Sequence, residues 1–240
     1  MTDIVYVLGP GSKWGDREFY YSLSSVQKYL HNFGRVFVVG KAPRCGSPGL
    51  TWTHVAVRDK HRWPACNIND CFRQACLTEE ISDTFLRMDD DVFLSQPLRA
   101  DAVPNYSRGN LRRHTRAWKT KTQNTYYRSL KETTLWLERQ GLPLEDFEVH
   151  GPMLFNKRQL KAVLDTLDPR VGYLMRSAYG NFYRVPPTPL QDCKFTTVVP
   201  RDRITQRVQA RPFFSVGDKG LTQTMRATLN MLFDCRRIEG

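Results

Sequence analysis

The sequence predicts an α/β fold: a single domain with a mainly parallel, Rossmann-like sheet flanked by helices. Three observations carry that expectation. Short apolar runs of strand length alternate with stretches of helical periodicity, Gly- or Pro-bearing loops separate the two, and the fourth apolar run empties directly into Asp89-Asp90-Asp91. Alternation of this kind builds right-handed βαβ units. Ligands of such sheets sit beyond the carboxyl ends of the strands.

Residues 4–8 form an apolar run that ends at Gly9-Pro10-Gly11-Ser12, a buried strand entering a loop. Asp16 is placed to cap a helix whose Phe19, Leu23, Val26 and Leu30 share one face. A second strand is expected at 36–39, closed by Gly40, and the Pro/Gly-rich stretch 42–49 leads to a third at 54–57. Ile68, Phe72, Ala75 and Cys76 predict a helix over 68–79, and Thr84–Met88 is the fourth strand. A helix follows at about 124–140, stopped by Gly141. Then come a turn and strand at 151–156, a helix through Leu160, Val163, Leu164 and Leu167, and an end at Asp168-Pro169. The tail is expected to hold a strand at 196–199, a loop at 213–218 and an amphipathic helix through Met231. With no internal repeat or low-complexity linker, 1–240 reads as one domain, and 105–131 as a basic insertion or acceptor-binding region.

The chain has 240 residues, 40% apolar and 25% charged, enough for one sizeable core and unlike a disordered or fibrous sequence. Lys and Arg number 36 against 24 Asp and Glu, a formal charge of +12. That surplus favours anionic company: nucleic acid, nucleotide phosphates or an acidic surface. No run of about 18 apolar residues offers a membrane span, and the N-terminus lacks the basic region of a secretory signal. Cys66, Cys71 and Cys76 are too evenly spaced to share a metal from one helix face, each being turned by roughly 140° from the last. With Cys45, Cys193 and Cys235 they read as reduced thiols of a cytoplasmic protein.

The aspartate run is the most informative stretch. Three adjacent carboxylates repel one another, and a cation offsets that charge. Hard divalent ions take carboxylate oxygens, Mg²⁺ typically one or two of them plus substrate phosphates. Apolar flanks place the acids on a turn between buried strands, whereas an isolated acidic run would be a solvated turn.

Phe85-Leu86-Arg87-Met88-Asp89-Asp90-Asp91-Val92-Phe93 resembles the DxD segment of A-type glycosyltransferases, in the form found in the capsular-polysaccharide (Stealth-like) branch and its bacterial and phage relatives. Three more pieces agree in order. Asp3–Val7 with Ser12-Lys13-Trp14 and Tyr21-Ser22-Leu23 resembles the opening strand, loop and helix that hold the nucleotide. His150-Gly151-Pro152-Met153-Leu154-Phe155 resembles the His/Ser-Gly strand after the metal motif, and Phe213-Phe214-Ser215-Val216-Gly217-Asp218 the closing phosphate-side loop.

The resemblance implies a GT-A-like fold, a nucleoside diphosphate sugar donor (UDP-linked as the commonest) and Mn²⁺ or Mg²⁺ bridging its phosphates. It implies Asp91 as direct metal ligand, Asp89 on the ribose or a metal-bound water with Asp90 beside it, and His150 as a further ligand or sugar contact. Gly9, Ser12 and Trp14 would hold the nucleotide, Arg58, Asp59 and Asn67 the base and ribose, and Ser215, Asp218 and Lys219 the phosphate side. A helix cap by Asn67 or Asn69, a hydrogen-bonded loop histidine at 150 and a solvated Lys219 are the plain alternatives. No DxxH or HxxGxxK ligand motif stands near the C-terminus, which leaves the third ligand open. An inverting transfer needs a carboxylate to take the acceptor proton. Asp192 is the expected base, with Asp146, Glu148 and Asp218 as rivals; a retaining transfer needs none.

The acceptor expectation comes from 108–131. Arg108, Arg112, Arg113, Arg116, Lys119, Lys121, Arg128 and Lys131 stand there with no acid between them, interleaved with Trp118, Tyr126 and Tyr127. Such a stretch suits a phosphate backbone with stacking groups. Arg112, Arg113, Arg116, Trp118, Lys119 and Tyr126 are therefore the expected acceptor contacts, and a hydroxymethylated pyrimidine in DNA the expected acceptor, flipped out to reach the donor. The rival readings are a capsular or lipid-linked glycan as acceptor, a metal-dependent nuclease, and a non-catalytic nucleic-acid binder.

Overall fold

A computed structural model describes residues 1–192 and 194–233, so the expectations for Cys193 and Cys235 lie outside the described residues. In chain order the main elements are β1 (Thr2–Leu8), α1 (Arg17–Tyr29), β2 (Phe33–Gly40), β3 (Trp52–Ala56), α2 (Pro64–Leu77), β4 (Thr84–Met88) and β5 (Val92–Leu94). Then come α3 (Thr115–Thr120), α4 (Thr125–Arg139), β6 (Met153–Asn156), α5 (Lys157–Thr166) and α6 (Met175–Phe182). Last are β7 (Lys194–Phe195), α7 (Arg201–Gln209), β8 (Phe213–Val216) and α8 (Gln223–Phe233).

The central sheet runs β3-β2-β1-β4-β6. Its first four strands are parallel and β6 closes the edge antiparallel to β4. The expected α/β architecture is therefore present. The chain winds outward from β1 to β3 and then crosses to β4 on the other side of β1, so the switch in winding lies between β1 and β4. Their carboxyl ends open a crevice there. Gly40 closes β2 at φ +119°, and an added Cβ would run into the Leu8 carbonyl oxygen, so the paired ends of β1 and β2 require glycine. A smaller sheet, β7-β8-β5, continues from the acid turn.

Side chains of the strands divide between two cores. Val5, Val7, Phe37, Phe85 and Phe155 pack with Phe72 of α2 and Leu160 and Val163 of α5. Ile4, Tyr6, Val38, Leu86 and Met88 pack with Phe19, Leu23 and Val26 of α1. A third cluster joins Phe93, Phe214 and Val216 to α7 and α8 through Ile204, Val208, Met225 and Leu229. The helical faces read from periodicity are the buried ones.

Several boundaries need correction. Asp16 precedes α1 at φ +65°, but its side chain makes no cap; it binds Arg44 instead, at 2.9 Å. The third strand is Trp52–Ala56, displaced toward the N-terminus from 54–57. α2 starts at Pro64, where a missing N–H costs nothing, and Trp63 anchors it by donating to Ser129 Oγ at 2.9 Å. Residues 196–199 form no strand; the pairing falls on Lys194–Phe195. Phe213–Val216, expected as loop, is a buried strand antiparallel to β5. Helices α3, α6 and α7 have no counterpart among the expected elements. Cys45, Cys66, Cys71 and Cys76 are free thiols, and burial pushes Cys71 up to about 12. Among the described residues no helix is long and apolar enough to cross a membrane.

Gly151 packs directly on the Phe213 ring, which an added Cβ would overlap. Gly151→Ala is expected to cost about 1–3 kcal/mol, read as a fall in melting temperature of roughly 2–10 °C. An unchanged melting curve would disprove that contact.

Candidate active site

The acid turn is held in place by groups distant in sequence. Ser22 of α1 donates to Val92 O at 2.6 Å and is itself bonded to the Tyr6 hydroxyl at 2.9 Å. Val92 N returns to Asp89 O at 3.2 Å, and Val216 N of β8 donates to Asp91 O at 3.1 Å. Three elements thus fix the backbone of the turn at the β1/β4 crevice. The crevice deepens into a cleft of about 660 Å³ whose lining includes Gly9, Ser12, Asp59, Asn67, Asp89, Asp90, Asp91, His150 and Asp218.

The three aspartates have different environments. Asp89 lies between two buried guanidiniums, its Oδ1 on Arg87 and its Oδ2 on Arg176. Burial alone would raise its pKa, but the charges of Arg176 and Arg87 win and hold it well below the ordinary carboxylate range. Arg176 also donates to Gly151 O at 3.1 Å and faces Glu148 at 3.6 Å. Burial and the neighbouring Arg176 bring Arg87 down to about 10. Asp91 pairs with Lys194 at 3.0 Å. Asp90 has no cationic partner among the described residues, and burial together with Asp91 and Asp89 pushes it well above the usual range. Beside it, buried Glu18 is raised by burial and keeps Oε2 without a partner.

A divalent cation fits this set. Five carboxylates line the cleft floor (Glu18, Asp89, Asp90, Asp91, Glu148) against three cations, Arg87, Arg176 and Lys194. Carboxylates therefore outnumber cations there, Asp90 and Glu18 are raised by burial and by neighbouring carboxylates, and Glu18 Oε2 has no partner among the described residues. Among the described residues no three His, Cys, Asp or Glu side chains gather closely enough to hold an ion alone. That leaves the arrangement usual for Mg²⁺, one or two carboxylates completed by ligand oxygens. Among the described residues Asp91 and Asp90 are the acids of the turn with no arginine on them, and a cation beside them would offset the crowding that raises Asp90. Asp89, expected as a contact to metal or ribose, has both oxygens on arginines and would reach an ion only by releasing one.

His150 and Asp192 are bonded to each other. His150 Nδ1 and Asp192 Oδ2 lie 2.6 Å apart, and Asp192 Oδ1 accepts from His150 N at 3.3 Å. Burial would raise Asp192, but the hydrogen bond from His150 and the charges of His150 and Arg108 keep it below its ordinary value. It is therefore an ionised acceptor, which places a proton on Nδ1 and leaves Nε2 as the free ring nitrogen. Asp192 does not line the cleft; His150 does. The rivals are also engaged: Asp146 is fully buried against Arg108 at 2.9 Å, and Glu148 accepts from Ser177 N at 2.9 Å. Asp218 is exposed on the cleft rim, paired with Lys13 at 2.8 Å.

Other expected donor contacts have structural work. Ser12 Oγ accepts from Trp14 N at 3.2 Å and Asp16 N at 2.7 Å, turning the loop. Trp14 packs on the third core beneath Arg226 and lies outside the cleft. Asn67 Oδ1 accepts from Lys60 N and His61 N at 3.0 and 2.9 Å, pinning the loop before α2. Ser215 is fully buried, while Arg58 and Lys219 do not line the cleft. Sequence reasoning missed Lys194, Arg176 and Glu18, and took Glu148 only as a rival base; the first two are single cations with no motif around them.

The basic stretch is less unopposed than its sequence. Arg108 pairs with Asp146 and Asp192, Arg112 with Glu138 at 2.7 Å, and Arg113 with Asp146 at 3.4 Å. Arg128 lies over the Trp63 ring at 4.0 Å and Lys121 over Tyr127 at 5.1 Å. Trp118, Tyr126 and Tyr127 are half-buried against the first core, and Tyr126 also lines the cleft. The side chains of Arg116, Lys119 and Lys131 remain exposed without a partner among the described residues.

A scan against protein-family models finds no match, and neither does a search of the curated proteins. Among solved structures the chain is similar to the galactosyltransferase LgtC in complex with donor and acceptor sugar analogs, at 13% identity and TM-score 0.49 over 98% of this chain and 96% of that one. It is likewise similar to an active-site mutant of LgtC (13%, TM-score 0.46, 98% and 96%). The glycosyltransferase GlyE of Streptococcus pneumoniae follows at 12% and 0.44, over 97% of this chain and 61% of that one. These TM-scores lie below 0.5.

Asp89→Asn would leave two buried guanidiniums short of charge and is expected to cost about 3 kcal/mol or more, a melting shift of roughly 6–12 °C. Asp91→Asn, in a pair open to solvent, is expected to cost under about 1 kcal/mol. The Asp89 and Asp192 contributions are present above the unfolded carboxylate value of about 3.9 and are lost as pH falls through their lower folded values. Equal melting shifts for the two asparagine variants at pH 7 would refute the assignment of Asp89 to the arginines.

Proposed function

We propose that this chain transfers a glycosyl group from a nucleoside diphosphate sugar to a hydroxyl acceptor. The observation that carries the reading is the carboxylate-rich cleft floor at the β1/β4 switch, where Asp90 and Asp91 line the same cleft as an oriented histidine. It joins the A-type glycosyltransferase resemblance of the acid segment, with a UDP-linked sugar as the expected donor.

Asp91 and Asp90 would hold Mn²⁺ or Mg²⁺. When bound, such an ion supplies positive charge against the leaving diphosphate. Lys194, beside Asp91 and lining the cleft, adds a fixed cation on the same side, the part expected of Lys219. Arg87 and Arg176 keep Asp89 and the turn rigid. His150 Nε2 is the group able to accept the acceptor's proton, and Asp192 orients its ring from behind. Asp192 thus becomes a positioning residue, and His150 the base.

The expected acceptor, a hydroxymethylated pyrimidine in DNA, is the second reading. Its support is the exposed trio Arg116, Lys119 and Lys131; four other cations of the stretch (Arg108, Arg112, Arg113, Arg128) and Lys121 are paired or packed on rings.

In a panel of nucleotide sugars with Mn²⁺, one is expected to raise the melting temperature, since a ligand bound only by the folded state must do so. Asp91→Ala should abolish both that shift and transfer. His150→Gln and Asp192→Asn should each lower kcat about 100-fold or more with the donor-induced shift retained. No stabilisation by any nucleotide sugar, or full turnover by Asp91→Ala, would refute the glycosyltransferase reading.

A further inference from the structure

A second cavity, a groove of about 800 Å³, is lined by Arg113 and Arg211, which lie far apart along the chain. Each stands at the end of a row of surface cations. One row follows the 3₁₀ turn Leu111–His114 into α3: Arg113, Arg116 and Lys119, all exposed and spaced as neighbours along one side. The other follows α7: Arg203, Arg207 and Arg211, spaced as neighbours one helical turn apart. Because α7 buries Ile204 and Val208 in the third core, Arg203 and Arg207 are exposed, and Arg211 is half-buried where the row enters the groove.

We propose that these two rows form a docking track for the sugar-phosphate backbone of duplex DNA. Their first qualification is unspent charge. Among the described residues Arg203, Arg207, Arg211, Arg116 and Lys119 pair with no carboxylate, and only Arg113 faces one, buried Asp146 at 3.4 Å. Arg211 donates to the Gln191 side-chain oxygen at 3.3 Å, and Arg207 lies over the Phe195 ring at 4.5 Å, which leaves guanidinium donors on both. Arginine predominates in the rows, and its planar fork meets phosphate oxygens two at a time. Arg203, Arg207, Arg116 and Lys119 lie outside the donor cleft, so a leaving diphosphate has no use for them.

The acids where the rows meet select the partner. Glu145 and Asp192 line the groove together with Arg113 and Arg211; Glu145 holds the Ser107 hydroxyl through Oε1, and Asp192 pairs with Arg108 at 3.3 Å. A bilayer of anionic lipids presents negative charge as a continuous sheet and would press phosphates onto those carboxylates. A duplex instead presents two rows of phosphates with a groove between them, lined by base edges that include amino donors. Two rows of cations meeting at a carboxylate-bearing groove match that alternation. The proposal concerns binding and stands independently of glycosyl transfer, to whose second reading it adds a docking surface.

The test follows the fluorescence anisotropy of a labelled DNA duplex with the full chain, over a range of salt and without nucleotide sugar or metal. Log affinity is expected to fall linearly with log salt, by about 0.9 for each phosphate engaged. Arg203→Gln, Arg207→Gln and Arg211→Gln together should weaken binding about tenfold or more at ~0.1 M salt and flatten that slope by about 3. Arg116→Gln with Lys119→Gln should flatten it by about 2. A control with the same loss of charge on exposed residues elsewhere, Arg62→Gln, Arg158→Gln and Lys161→Gln, should leave the slope unchanged. Equal flattening by the control, or an unchanged slope in the two track variants, would overturn the track. Binding to vesicles of phosphatidylserine and phosphatidylcholine with none to the duplex would overturn the choice of partner. With no donor present, these outcomes leave the glycosyltransferase reading to its own nucleotide-sugar test.

Discussion

The site depends on one buried ionic contact, Asp89 between Arg87 and Arg176. Three consecutive carboxylates at a strand end are self-repelling, and two guanidiniums taken out of water are costly unless paired. Each half of the arrangement makes the other tolerable. Because Arg176 belongs to α6 and also reaches Gly151 O and Glu148, the contact ties the end of β4 to the segment that carries His150. The acid turn, the histidine's segment and the first turn of α6 are thereby bonded through one side chain. What remains free to meet a ligand is the part of the acid turn that the arginines do not neutralise.

That division explains what the sequence could and could not disclose. The strands of the central sheet followed from alternation of apolar runs with helical periodicity, because such patterns are local. The acid turn was legible for the same reason: apolar flanks put it at a strand end. Its internal assignment was not. Asp89, Asp90 and Asp91 are chemically identical in sequence, and their roles are set by Arg176, Glu18 and Lys194, which lie far from them along the chain. The same limit hid the short pairing at Lys194–Phe195 and made Phe213–Val216 read as loop, since neither has a periodicity of its own.

Charge counting along the chain has a related weakness. A stretch of eight cations without an acid looks like a binding surface, but a fold supplies acids from elsewhere. Asp146 sits fully buried beneath Arg108 and Arg113, and Glu138 near the end of α4 reaches back to Arg112. The aromatics of that stretch likewise serve the core before they serve any ligand. Net charge therefore describes the molecule's long-range company better than the lining of its cleft, where carboxylates outnumber cations.

The pairing of His150 with Asp192 carries the last step. A lone carboxylate beside Arg108 is held ionised and makes a poor proton acceptor, because the forces that depress its pKa also weaken its basicity. Transferred through an imidazole, the same negative charge becomes useful: it fixes the ring, selects the tautomer and steadies the ring once it gains a proton. Under the proposed reading, Asp192, expected as the base, orients the histidine instead.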